Sequence, residues 1–95
     1  MNTDYAAKQL AELGHATRLS IFRIMVRAGR SGLPVSDIQS KLDIPGSTLS
    51  HHISRLARVG LLKQEREGRV LRCTAQIGEL ESLIAFLMEE CCVNE

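Results

Sequence analysis

Ser47, Thr48, Ser50, His51, Ser54, Arg55 and Arg58 lie within one short stretch that carries no carboxylate. Leu49, Ile53 and Leu56 recur among them at helical spacing, so a helix here turns the apolar residues inward and the polar set outward. Hydroxyls and an imidazole can donate or accept hydrogen bonds, and guanidiniums neutralise phosphates. Such a face suits a polyanion with hydrogen-bonding edges, which is what the major groove of DNA presents. A second set with chemistry of its own is the adjacent pair Cys91 and Cys92. Two neighbouring thiolates are soft ligands for thiophilic ions, and they are also open to oxidation.

Each of these residues has a plainer role to set beside the chemical one. Ser47 and Thr48 could serve only to cap the start of a helix. Arg55 and Arg58, further along, suit the sugar–phosphate backbone, or simply a solvated surface. His52 follows Leu49 by three and precedes Leu56 by four, which points it inward, as a buried, hydrogen-bonded histidine rather than a DNA contact. Cys91 could be a small apolar residue continuing a helical stripe, and Cys73 reads as structural.

The elements that must position these groups follow from apolar period and turn residues. Residues 3–13 predict a helix anchored by Leu10 and Leu13 and broken at Gly14. Residues 15–28 predict a second, with Leu19, Phe22 and Val26 on one face and Arg18, Arg23 and Arg27 on the solvated side. A loop over 28–32 leads to a third helix over 35–42, held by Val35, Ile38 and Leu42. Asp43-Ile44-Pro45-Gly46 is a tight connection, with Pro45 placed to start a fourth helix over 46–59. Gly60 ends that helix. The runs 61–66 and 69–75 around Glu67-Gly68 then predict a hairpin. Residues 77–92 return to helical period, with Ile77, Leu80, Leu83, Ile84, Leu87, Met88 and Cys91 in one long stripe. A stripe of that length at the end of so small a chain implies a partner surface, most simply the same helix of a second copy. The fold class is mainly α with a β-hairpin wing, a winged helix-turn-helix on residues 1–95, dimerising through helices 3–13 and 77–92.

Composition agrees with this reading. The net charge of +1 conceals eleven Lys/Arg against four Asp/Glu in residues 15–72, and one Lys against seven acids in the flanks. A cationic middle is suited to phosphates. Aromatics make up 3% of the chain, too few for a single-strand stacking platform. No run is long enough to span a bilayer and no signal-like segment opens the sequence. Three cysteines, two of them adjacent, do not make a secreted disulfide framework, so a cytoplasmic location is expected. No paired-carboxylate spacing and no nucleophile–base set suggests an enzyme.

The chain resembles the ArsR/SmtB family of winged-helix repressors over about Leu13 to Ala75. The resemblance rests on Gly14-His15-Ala16-Thr17-Arg18-Leu19-Ser20-Ile21, on Ser47-Thr48-Leu49-Ser50-His51-His52-Ile53, on Val59-Gly60-Leu61-Leu62 and on Arg66-Glu67-Gly68-Arg69. It implies a homodimer on operator DNA, released by an inducer. On the helix face, Ser47, Thr48 and His51 would meet base edges, with Ser50 beside them as a DNA contact, Arg55 on the backbone and Arg66 and Arg69 in the wing. The segment that matches the family's Cys-x-Cys step and following Asp in the third helix is Pro34-Val35-Ser36-Asp37-Ile38, with both thiols absent; the last helix has no histidine, and the second helix has no cysteine. What remains resembles the arsenic-responsive members, which carry a vicinal pair after a Phe-Leu run like Phe86-Leu87. Cys91 and Cys92 would then be ligands of an arsenite or antimonite inducer. The third ligand would come from a small thiol, a solvent oxygen or the partner chain. Cys73 is a poor third ligand, because the intervening helix at 1.5 Å per residue puts it roughly 20 Å away. Two other functions stay open: a thiol redox-sensing repressor, and a winged-helix protein-interaction module that does not bind DNA.

Overall fold

The computed structural model describes residues 1–95. Five helices and three strands follow in the order α1 Thr3–Leu13, α2 Ala16–Ala28, β1 Leu33–Pro34, α3 Val35–Leu42, α4 Gly46–Arg58, β2 Leu62–Glu67, β3 Val70–Ala75 and α5 Ile77–Met88. A 3-10 turn, Gly29–Ser31, joins α2 to β1. The helix-turn-helix of α3 and α4, followed by the β2–β3 hairpin, is the winged-helix arrangement. The hairpin turns at Gly68-Arg69, one residue later than the pattern predicts. β1 is too short to show any period. It pairs antiparallel with β3, Leu33 opposite Cys73, and completes a three-stranded sheet of order β1-β3-β2.

The core is one cluster drawn from α2, α3, α4 and the sheet. Ile21, Met25, Ile38, Leu49, Leu56, Leu61 and Cys73 are sealed from solvent within it. Burial of each large aliphatic side chain contributes about 1.5–3 kcal/mol. The inward faces of α3 and α4 are those the spacing predicts. The connection between them works because Asp43 adopts the left-handed conformation (φ 52°) as the C-cap of α3. Asp accepts that conformation more readily than most residues do. Gln39 Nε2 then donates to the Ile44 carbonyl at 3.1 Å and braces the turn.

Two helix faces differ from expectation. On α1 the buried residues are Ala6, Gln9 and Glu12, while the expected anchor Leu10 is exposed. On α2 the inward set is Arg18, Ile21, Phe22 and Met25, and Leu19 is exposed. Arg18, expected on the solvated side, is buried. The cause is common to both: Gln9 Nε2, Glu12 and Arg18 find polar partners on other elements, and only Gln9 Oε1 is buried without one. A satisfied polar group can be buried at little cost, which apolar period does not register.

α5 stops at Met88, short of the expected residue 92, and Cys91 and Cys92 lie in turns beyond it. Glu90 (φ 59°) and Cys92 (φ 65°) are left-handed. Acidic Glu89 and Glu90 face the negative end of the helix dipole, and the last turn has no cation to offset it. Leu83 is the only fully buried residue of α5. Ile77, Ile84, Leu87 and Met88 leave its apolar stripe open.

Candidate nucleic-acid interface

α4 owes its two faces to the division seen in the sequence. Leu49, His52, Ile53 and Leu56 are buried, and Ser47, Thr48, Ser50, His51, Ser54 and Arg58 are exposed. These exposed side chains share the outer face of the helix, while Arg55 is half-buried. In the wing, Arg66 and Arg69 are exposed. With Ser36 and Gln39 of α3 they line a groove of about 370 Å³ between the start of α3 and the hairpin. Arg58, Arg66 and Arg69 have no carboxylate partner. The other wing charges are committed: Lys63 pairs with Glu65 at 2.7 Å, and Arg72 binds Glu67 while donating to the Ser31 carbonyl at 3.0 Å.

Arg55 is placed differently from the simple backbone contact expected of it. Its Nε and Nη2 both donate to Glu12 of α1, at 2.7 Å to Oε2 and 2.7 Å to Oε1. Glu12 Oε2 also accepts from Arg18 Nη1 at 2.8 Å. Arg18 turns its Nε to His52 Nδ1 at 3.1 Å. The His15 ring lies 4.8 Å from that of His52. A buried chain of charged and polar groups thus runs from α1 through α2 to the back of α4. His52 is buried and hydrogen-bonded, as its spacing predicts. Accepting from a guanidinium requires an unprotonated Nδ1, and burial, reinforced by His15, Arg18 and His51, lowers its pKa. Glu12 is held below the ordinary carboxylate range, first by the Arg55 hydrogen bonds and against the opposing effect of burial.

A second clasp fixes the far end of α4. Gln9 Nε2 donates to the Val59 carbonyl at 2.9 Å. The Tyr5 hydroxyl lies 2.9 Å from that carbonyl and 2.7 Å from Glu79 Oε1 of α5. Gly60 passes beneath with φ 79°, where a Cβ would come within 2.6 Å of the Tyr5 oxygen. Nothing in the sequence singles out Glu12 or Tyr5, and apolar period places Arg18 on the solvated side of its helix. Glu12 and Arg55 are 43 positions apart, so no local spacing could have joined them.

A family model described as a helix-turn-helix domain matches residues 13–65. A provisionally named arsenical resistance operon repressor, ArsR, from Halobacterium salinarum is 35% identical over 60 residues, covering 63% of this chain and 46% of the relative. This chain therefore spans about half the length of that curated relative. Among solved structures, an ArsR-like transcriptional regulator from Rhodococcus sp. RHA1 superposes with TM-score 0.77 at 25% identity, covering 88% of this chain and 76% of the other. The protein belongs to the ArsR/SmtB family of winged-helix regulators. HlyU from Vibrio cholerae is similar over nearly the whole length, with TM-score 0.75, 26% identity and coverage of 97% and 99%.

In this ArsR/SmtB protein no three His, Cys, Asp or Glu side chains come together as a metal cluster. The two terminal thiols are close, with Cys91 Sγ 2.9 Å from Cys92 Sγ and both residues exposed. Cys92 is held above the ordinary cysteine value by hydrogen bonding to Cys91 and then to Glu95. Cys73 is fully buried, and burial pushes its thiol up to about 11. No helix is long and apolar enough to cross a membrane.

Proposed function

We propose that this chain is a homodimeric, DNA-binding transcriptional repressor released by a thiophilic inducer, working in the cytoplasm. The observation that carries the DNA reading is the outer face of α4: exposed hydroxyls, His51 and Arg58 on a rigid helix, flanked by unpaired Arg66 and Arg69. Ser47, Thr48, Ser50 and His51 near the start of α4 would meet base edges. Arg55, Arg66 and Arg69 would meet phosphates. The open stripe of α5, with Leu10 of α1, supports pairing of two copies, which would set two recognition helices against two half-sites. Residues 1–95 would act as one such unit.

Cys91 and Cys92 would hold the inducer, of which arsenite or antimonite fits the soft donor pair best. The chain supplies two thiols 2.9 Å apart, and the remaining ligand would come from solvent, a small thiol or the second copy. Binding must favour the geometry that does not fit DNA, because a ligand shifts only an equilibrium between states it binds unequally.

Fluorescence anisotropy on duplex DNA at two salt concentrations tests the first part. Affinity should fall steeply with salt, and salt-independent or absent binding would favour a protein-interaction module instead. Replacing both Cys91 and Cys92 by Ser should preserve DNA binding and abolish release by arsenite. Release by peroxide but not by arsenite would point to an oxidant-sensing repressor, for which the short sulfur separation is also suited.

A further inference from the structure

The Glu12–Arg55 pair is an unusual use of a residue on a contact face. Arg55 is still partly open, with its side chain 39% exposed, whereas the Glu12 side chain is 10% exposed. Glu12 takes two nitrogens of the guanidinium, Nε and Nη2, in a forked pair. Nη1 of Arg55 is left without a partner in the chain. A guanidinium is rigid and planar, so gripping two of its nitrogens fixes the direction of the third. A free arginine on the same face would lose several rotamers on binding, and a clamped one has lost them already.

We propose that Glu12 is a positioning residue for DNA binding: it clamps Arg55 so that Nη1 is aimed at the sugar–phosphate backbone. The proposal rests on the DNA-binding reading given above. It assigns Glu12 a task that a structural ion pair would not have. Glu12 is on α1, outside the helix-turn-helix, so the aim of a DNA contact is set by a helix of the expected dimer interface. The same carboxylate holds Arg18, which in turn holds His52 from behind α4. A displacement of α1 would therefore reach the recognition helix at two points.

The test measures binding of the full chain to a labelled mixed-sequence duplex across a salt series, with circular dichroism on every variant. Arg55→Ala should lower the slope of log affinity against log salt by about one per contact. Glu12→Gln should weaken binding about fivefold or more and lower the slope in the same direction, while on the Arg55→Ala background it should change affinity less than about twofold. Arg55→Lys approaches the question from α4, because an ammonium is a point charge without the planar fork, so the carboxylate cannot fix the direction of a remaining donor. It should lose as much affinity as Arg55→Ala while keeping the wild-type fold. Tighter binding by Glu12→Gln would show that the carboxylate competes with DNA, and would overturn the proposal. Equal weakening in both backgrounds, or wild-type affinity in Arg55→Lys, would do the same. A wild-type protein that ignores the duplex at every salt concentration would overturn the DNA reading and this proposal together.

Discussion

The polar residues behind α4 make the protein's stability a function of pH in two separate windows. His52 is neutral in the fold, with its pKa lowered by burial and by His15, Arg18 and His51. Its contribution is complete above the unfolded value near 6.5 and is lost as pH falls through that value towards the native one. Glu12 is charged in the fold with its pKa lowered, so its contribution is lost only as pH falls through the ordinary carboxylate range. We expect the thermal midpoint to decline between pH 7 and 5 because of His52. In His52→Asn, which keeps an acceptor for Arg18 but cannot titrate, that decline should flatten. An unchanged decline in the variant would remove His52 as its cause. The thiols divide in the same way. At pH 8 a thiol reagent should modify Cys91 and Cys92 in the native protein and reach Cys73 only after unfolding. Cys73 is fully buried, with its thiol pushed up to about 11.

At the scale of elements, the approach of the 3-10 turn to the sheet is the tightest constraint. Gly32 has φ 63°, and a Cβ there would lie 2.2 Å from the Cys73 carbonyl oxygen, which is backbone and cannot yield cheaply. Gly68 in the wing has the same φ of 63° with open space around it. Gly68→Ala should therefore cost only the left-handed strain, about 1 kcal/mol. Gly32→Ala should cost clearly more, about 2 kcal/mol or above, since the sheet must also shift. Urea unfolding of the two variants makes the comparison, and equal losses would refute it. The α3–α4 turn belongs to this scale too. It depends on Asp43 rather than on a glycine, so the direction of α4 is set by a residue whose short side chain accepts φ 52°.

The whole molecule is more extended than its length requires. Its radius of gyration is 14.5 Å. A compact chain of this size would have about 12 Å. Its longest dimension is 52 Å against 23 and 20 Å across. The exposed face of α5, with Ile84 at 51%, Leu87 at 57% and Met88 at 58% exposure, lacks a partner within the chain. If the proposed dimer forms through this face, Leu87→Glu should give a folded monomer by sedimentation, with much weaker DNA binding because the second half-site contact of that dimer is lost. A variant that stays dimeric would move the interface elsewhere.

Much of this protein is legible in its sequence because it depends on residues close together along the chain. The inward faces of α3 and α4, the outward set of Ser47, Thr48, Ser50, His51, Ser54 and Arg58, the hairpin and the buried role of His52 follow from period and turn chemistry. Those signals act over four residues or fewer. The tertiary structure alone decided which polar groups are buried. It put Arg18 inside and Leu10 and Leu19 outside, and it withdrew Arg55 onto Glu12. It also ended α5 before the cysteines. The physical reason is that a buried charge is tolerable only when its partners are present, and those partners come from other elements. Pairing between residues as distant as 12 and 55 leaves no periodic trace, so it becomes visible only when the chain is folded.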